Sequence, residues 1–449
     1  MDMWQAGAAA VDITGPVGAL LGGYGGRTHG ATGIHDPLYV RALLLSDGRE
    51  EIVIAICDLV GVSARLVEQA RSIIEAECGI PARNVCIAAT HTHDGPEDVI
   101  RRGERAYVND TAHKIAGAVR IARAAARPVT LKLGTADVAT VSQNRRDPEG
   151  PIETRAKVLL AAPPGQVTPV ATLVNFACHP TVLERDNYLY TADFPGATTA
   201  FLERALGGAA IFMQGAAGDI NPVWMRHDFD EAERIGKILG AAATRTALEL
   251  RPLGEGQWAV NLSWSEITPQ EPAPGTVLSG PRVRGAQRFL DLPRRVPAPQ
   301  AELEREIASI EVRLAALTEE DVSGRRSLRP GLNQLRIERA RYRGITVEPG
   351  TTQRAEVQAL RISDECAIVC LPGEFLVEIG WELERRCGVR HLLVCGYSND
   401  YLSYVPMAKH FPEAGYEVGC ALFEPECAEI MIEAAVALVR SLYDEEQER

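Results

Sequence analysis

The sequence predicts an α/β protein with mixed β-sheets flanked by helices, and three observations support this. Short apolar runs alternate with amphipathic stretches of helical spacing. A strand–helix–strand unit recurs along the chain. No internal repeat or low-complexity tract interrupts that rhythm.

Taken in order, Glu51 to Cys57 (EIVIAIC) reads as a buried strand, and Arg65 to Glu77 has helical spacing that stops at Cys78-Gly79. Asn84 to Ala89 (NVCIAA) is the next strand, which makes a βαβ unit with the usual right-handed crossover. The same grammar returns in Ala171 to Cys178 (ATLVNFAC), a helix from about Pro195 to Leu206, and a strand Ala209 to Met213. A last set comprises Ala367 to Leu371, a helix near Phe375 to Arg386, a strand Leu392 to Cys395, and a closing helix from about Glu424 to Tyr443.

One segment departs from this pattern. From Pro299 to Gly344 the chain is rich in Arg and Glu, with Leu303, Ile307, Ile310, Leu314 and Leu317 at helical spacing. A break is expected around Ser323-Gly324 and a second helix after Pro330, so residues 299–344 read as a helical hairpin inserted into a single domain spanning 1–449. Three roles suit it: a solvated hairpin, a lid, or the contact of a homodimer. Pro-rich stretches precede it at Pro269 to Pro274 and Pro293 to Pro299.

Composition narrows the function. With 449 residues, 46% hydrophobic and 24% charged, the chain can bury a large core and is not a disordered or fibrous protein. A net charge of -13 argues against a nucleic-acid or anionic-membrane surface, which needs a concentrated basic face. No run reaches the roughly 18 to 20 apolar residues of a membrane helix, and Met1 to Gly15 lacks the pattern of a signal peptide, so a cytoplasmic location and a small-molecule ligand are expected. Ten cysteines, several inside apolar runs and none in a Cys-x-x-Cys pair, read as reduced core thiols.

Ligands of open α/β sheets bind beyond the carboxyl ends of strands, so the polar residues there are the candidates. They are Thr90-His91-Thr92-His93-Asp94, His179-Pro180, Glu374, the loop Gly215 to Pro222, and Ser398 to Tyr404. Side chains two apart share a face of an extended chain, so His91 and His93 are expected to point the same way. Histidines after separate strands, with a carboxylate after another, suit a metal such as zinc, whose catalytic sites leave one position for water. Asp193 and Asp219 are either orienting partners of the histidines or buried caps.

The motifs THTHDGP, NFACHP, GAAGDINP, LPGEF and SNDYLSYVP, in that order, resemble the neutral ceramidase family, specifically bacterial proteins similar to its catalytic domain. GGYGGR (Gly22 to Arg27) and GIHDPLYVRALLL (Gly33 to Leu45) resemble that family's opening. The resemblance spans nearly the whole chain. It implies one zinc ion on His91, His179, Glu374 and Tyr404, with His93, Arg145 and Tyr416 facing substrate. It also implies that the immunoglobulin-like C-terminal domain of secreted ceramidases is missing here.

One departure matters. Where the family's ceramidases have the serine of Gly-Asp-Val-Ser-Pro, this chain has Asn221, whose amide cannot attack a carbonyl. Asp94 stands where those enzymes commonly have serine, and reads as a base, an acceptor near the metal, or a turn carboxylate. The expectation is therefore a zinc-dependent hydrolase of an amide bond in an N-acyl compound, using zinc-activated water. Here His93 serves as acid/base and Asn221 donates to the oxyanion. The alternatives are an esterase on the same site and an inactive metal- or ligand-binding homologue.

Overall fold

A computed structural model describes residues 3–97, 105–166, 168–250, 276–318 and 321–444. The Pro269 to Pro274 stretch lies outside them.

Period-two alternation decides the layers, because successive strand side chains point to opposite faces. Along the strand Tyr39–Ser46, Val40, Ala42 and Leu44 pack into one apolar cluster and Leu43 and Leu45 into another. Glu51–Cys57 splits the same way, with Val53 and Ala55 on one side and Ile52, Ile54 and Ile56 on the other. The first side is covered by the helices Ala64–Cys78 and Arg105–Ala124, through Leu66, Ala70, Ile74, Ile115 and Val119. The second side meets another sheet: Leu360, Ile368 and Leu393 share its cluster. The outer face of that second sheet carries Val357, Val369 and Val394 against Ile379 and Leu383 of the helix Val377–Cys387 and Met431 and Ala435 of Cys427–Asp444. Two sheets are thus packed face to face with helices outside both, and central strands such as Glu51–Cys57 and Cys366–Cys370 are buried on two faces.

Among the described residues the larger sheet has nine strands. Their order is Ala209–Gln214, Ala171–Phe176, Arg155–Ala162, Arg127–Asp137, Trp4–Asp12, Tyr39–Ser46, Glu51–Cys57 and Val85–Ala89, with Thr276–Val277 beside Arg127–Asp137. The smaller sheet runs Arg284–Pro293, Thr352–Arg361, Cys366–Cys370, His391–Cys395. In both sheets parallel pairing is confined to the three strand–helix–strand units, with Val53 opposite Val85, Val174 opposite Phe212 and Ile368 opposite Leu393. Parallel neighbours require a crossover, so these are the places where strand ends and following loops point the same way.

The helix ends obey local chemistry. Ser63 caps Ala64–Cys78 by accepting from the Leu66 N–H, and Gly79 ends it in the left-handed conformation (φ 71°) that a Cβ disfavours. The hairpin differs from the sequence expectation. Its helices span Gln300–Ala315 and Val322–Arg341, so the break precedes Ser323-Gly324, and the second helix runs through Pro330 instead of starting after it. Asp321 provides the start signal, its carboxylate accepting from the Gly324 N–H at 2.8 Å. Of the expected apolar stripe, Leu303 and Ile307 are buried. The second helix adds Leu332 and, just beyond it, Tyr342 lies buried, so much of the apolar surface is covered by this chain. All ten cysteines are buried free thiols, as the sequence implied. Among the described residues no helix is long and apolar enough to cross a membrane.

Candidate metal centre

Chain segments that follow five strands meet at one point. Val85–Ala89 leads to His91 and His93, Ala171–Phe176 to His179, and Ala209–Gln214 to Asn221. Cys366–Cys370 leads to Glu374 and His391–Cys395 to Tyr404. Backbone bonds fasten these segments to one another: Ala89 N–H to Tyr397 O (3.1 Å), His179 N–H to Ile220 O (2.9 Å), Gly218 N–H to Phe375 O (2.8 Å) and Glu374 N–H to Ser403 O (2.9 Å). Glu374 and Tyr404 face each other as a parallel bridge pair.

The two histidines of His-x-His do converge, but not by strand alternation. His91 has φ 72°, outside the extended region, and the rings of His91 and His93 stand at 87° with their Nε2 atoms 3.2 Å apart. A residue held in this conformation is strained, and its Nδ1, bonded to Val60 O at 2.5 Å, helps to hold it there.

The tautomers follow from the partners. A carbonyl only accepts, so His91 Nδ1 donates to Val60 O and His179 Nδ1 donates to Ala217 O (2.6 Å), which leaves both Nε2 atoms as bare lone pairs in the neutral rings. His179 is held neutral: burial, and then the charge of Arg145, lowers its pKa to about 4. Both lone pairs face the same carboxylate oxygen, Glu374 Oε2, at 3.3 Å from His91 and 3.1 Å from His179. Tyr404 Oη lies 3.4 Å from His179 Nε2. Electron pairs aimed at one another repel unless a cation lies between them. Tetrahedral ligands at about 2.0–2.1 Å from an ion sit about 3.3 Å apart, which matches these spacings. The residues fit a divalent ion of the zinc type, down to the backbone carbonyls that orient both rings.

His93 is buried, and its Nδ1 lies without a protein partner. Burial, followed by the neighbouring His91 and His179, lowers its pKa well below the usual imidazole value. It borders a cavity of about 1110 Å³ shared with Tyr24, Arg145, Asn221, Tyr404 and Tyr416. Arg145 is the hub of that wall. Its Nε donates to Glu417 Oε1 (2.8 Å), its Nη2 to Tyr404 Oη (3.0 Å), and its Nη1 reaches Asn221 Oδ1 (3.4 Å).

Residues 4–230, half of the chain, match the family model described as neutral/alkaline non-lysosomal ceramidase, N-terminal. The chain belongs to this family. It is 24% identical to the neutral ceramidase of Pseudomonas aeruginosa over 97% of this chain and 72% of that protein. It is 25% identical to the neutral ceramidase of Mycobacterium tuberculosis over 94% and 74%. Among solved structures, the crystal structure of the Pseudomonas aeruginosa neutral ceramidase matches 99% of this chain and 75% of its own, with a TM-score of 0.74 at 20% identity. A ceramidase complexed with C2 matches 99% and 76%, with a TM-score of 0.75 at 19% identity. The mixed α/β fold expected from the sequence is therefore the ceramidase fold.

Within this fold, eight of the nine residues singled out from sequence lie at the centre or on its cavity wall. The ring nitrogens of His91, His93 and His179 lie close enough together to share an ion, Glu374 Oε2 and Tyr404 Oη stand beside them, and His93, Arg145, Asn221 and Tyr416 line the cavity. The ninth, Asp94, is buried and turned away, with Oδ1 accepting from Arg27 Nη2 (2.6 Å) and Asn187 Nδ2 (2.9 Å). Asp193 and Asp219 act as caps and not as histidine partners. Asp193 accepts from the Val182 and Phe194 N–H groups, and Asp219 from the Val377 N–H and Asn144 Nδ2.

Four participants were not assigned from sequence. Tyr401 donates to Glu374 Oε1, Tyr397 stacks on His91 with centroids 4.0 Å apart, Glu417 holds both Arg145 and Arg146, and Arg27 grips the His93-Asp94 turn. The signal for Arg27 was present in GGYGGR, but nothing local connects that loop to His93, 66 residues away. A second cluster whose side chains lie close enough together to share an ion, Cys86, Cys370 and Cys395, sits in the layer between the sheets among aliphatic side chains.

Proposed function

We propose that this chain is a zinc-dependent hydrolase of the amide bond of an N-acyl compound, with water and not a side chain as the nucleophile. The convergence of His91 Nε2 and His179 Nε2 on one carboxylate oxygen, beside a cavity that His93 and Tyr404 line, is the observation that carries the reading. The amide bond is proposed because the relatives are ceramidases. His91, His179, Glu374 and Tyr404 would hold the ion. When bound, zinc supplies Lewis acidity to the scissile carbonyl and acidity to a water molecule.

The rest is the work of this chain's side chains. His93, neutral at pH 7 because burial lowers its pKa, is ready to accept a proton and return it to the leaving amine. Asn221 keeps its oxygen toward Arg145, so its NH₂ is left to donate to the oxygen of the carbonyl under attack. Tyr416, whose ring lies 5.4 Å from that of Tyr404, and Arg145 form the wall against which the substrate is oriented.

The test combines metal analysis with a substrate panel. Purified protein is expected to hold about one zinc per chain. His179→Ala and Glu374→Ala are expected to deplete it with the fold intact, and His93→Ala to retain it. A panel of N-acyl amides, ceramide included, and matched esters, followed by mass spectrometry, identifies the bond cleaved. Full zinc retention in the first two variants sinks the donor set. Zinc retained with no panel member cleaved favours a ligand-binding homologue, the reading that Asn221 in the serine position makes second.

A further inference from the structure

The Gly22–Arg27 loop holds His93 from two sides, and no part of the reaction scheme above uses it. The Arg27 side chain is 3% exposed and makes bonds that only a guanidinium can combine. Nη1 donates to the backbone carbonyls of His93 (2.6 Å) and Gly22 (2.9 Å), and Nη2 to Asp94 Oδ1 (2.6 Å). Nε donates to Arg185 O (3.2 Å). The guanidinium also sits over the Tyr24 ring, 5.0 Å from its centroid. Tyr24 in turn meets the His93 ring edge-on at 4.7 Å and is itself tied down, its hydroxyl donating to Leu183 O at 2.7 Å. On the remaining side Gly23, at φ 91°, lies so close that a Cβ there would come within 2.3 Å of the His93 ring. That contact and that backbone angle both exclude any residue but glycine.

No backbone carbonyl fixes the His93 ring: Nδ1 is unpartnered, and Nε2 has as its one partner His91 Nε2 at 3.2 Å, an electron pair that the ion would take up. Its two neighbours in the donor cluster are each locked by a backbone carbonyl. The clamp made by Arg27, Tyr24 and Gly23 therefore supplies from outside the order that His91 and His179 obtain from Val60 and Ala217.

We propose that Arg27 is the positioning residue for His93, holding the His93-Asp94 turn through the backbone while Tyr24 and Gly23 set the ring. Asp94 is part of the same device. Its buried carboxylate anchors the guanidinium and does not exchange protons with substrate. The proposal rests on the reading of His93 as the acid/base of an amide hydrolase, and its test separates the two.

Arg27→Lys keeps a cation beside Asp94 but cannot reach His93 O, Gly22 O and Asp94 together. It is expected to keep its zinc and lower kcat by about 10- to 100-fold with little change in KM, since a displacement of about 1 Å can cost 10² in rate. Arg27→Ala is expected to lose more, and millimolar guanidinium chloride to restore part of its kcat by filling the vacated slot. The second measurement needs no turnover: ¹⁵N spectra of histidine-labelled protein should show the His93 ring signals shifted or broadened in Arg27→Lys, with those of His91 and His179 unmoved. Wild-type kcat in Arg27→Lys, or unaltered His93 signals, overturns the proposal and leaves the amidase reading standing. Altered His93 signals in a protein that cleaves no amide uphold the clamp and remove the assigned reaction. If Arg27→Lys does not fold, Tyr24→Leu is the substitute, and unaltered His93 signals there count against the clamp equally.

Discussion

Arg145 donates from Nη2 to the hydroxyl oxygen of Tyr404 at 3.0 Å, across 259 residues of sequence. Its guanidinium also lies between the Tyr404 and Tyr416 rings, 5.4 and 5.3 Å from their centroids. Burial pushes the Tyr404 phenol up, and the charge of Arg145 is the first influence opposing it. This one side chain thus links a proposed metal ligand, the Asn221 oxygen and the carboxylate of Glu417.

That link leads to an expectation for Arg145→Lys. Lysine cannot bond Glu417, Tyr404 and Asn221 in the same geometry, so Tyr404 loses its fixed partner. Partners that orient a metal ligand are worth about 10- to 100-fold in metal affinity or activity. Zinc affinity by chelator competition, or kcat/KM on an active amide, should fall within that range. Unchanged values for both would show that Tyr404 is positioned without Arg145.

For Asn221 the expected consequence is kinetic. Asn221→Ala should lower turnover by roughly 10² to 10³, the loss typical of one oxyanion donor. No acyl-enzyme can form at an amide side chain, so rapid mixing should show no burst and quenched enzyme no added acyl mass. A covalent adduct would point to another nucleophile. Cys178 is poorly suited to that role, since burial raises its thiol well above the usual value.

Stability should depend on pH through Asp193. Burial raises this carboxyl to about 7, although the Phe194, Leu183 and Val182 N–H groups oppose the shift. A carboxyl that binds its proton more tightly when folded contributes stability below its unfolded value near 4, and that contribution is lost as pH rises through about 7. Asn mimics the protonated form, so Asp193→Asn should lack this term. Melting temperatures of the two proteins, compared from pH 4 to 8, should show wild type losing ground to the variant between about pH 4 and 7. Parallel curves would count against the assignment.

The hairpin bears on the site through Arg295 and Glu338. Glu338, 3% exposed in the second hairpin helix, accepts from Arg295 Nη2 at 2.8 Å, while Arg295 Nη1 donates to Val418 O in the short helix Tyr416–Cys420. Pro330 and Asn333 of the same hairpin helix line the cavity. Arg295→Ala strands a buried carboxylate, and the expected destabilisation is about 1–3 kcal/mol, read by urea unfolding. Replacing residues 299–344 with a Gly/Ser linker should leave soluble, zinc-loaded protein with a raised KM, because the wall at Asn333 is gone. Insoluble product would show that Leu303, Ile307 and Leu332 belong to the folding core.

Local signals were enough for the strands, the crossover helices and the loops that carry the chemistry. The unbroken apolar run in EIVIAIC, helical spacing after Ser63 and glycine at position 79 are properties of neighbouring residues, and neighbours determine them in any context. Hence His91, His179, Glu374 and Tyr404 were identifiable as residues that follow strands, and family resemblance joined them. Other features depend on chain segments far apart in sequence. The division of strands into two facing sheets rests on which apolar faces meet, and the left-handed backbone at His91 on a carbonyl 31 residues away. The start of the second hairpin helix, the docking of Glu338 on Arg295 and the grip of Arg27 on His93 are of the same kind. Each is a balance between local preference and long-range packing or hydrogen bonding, and only the assembled tertiary structure settles which prevails.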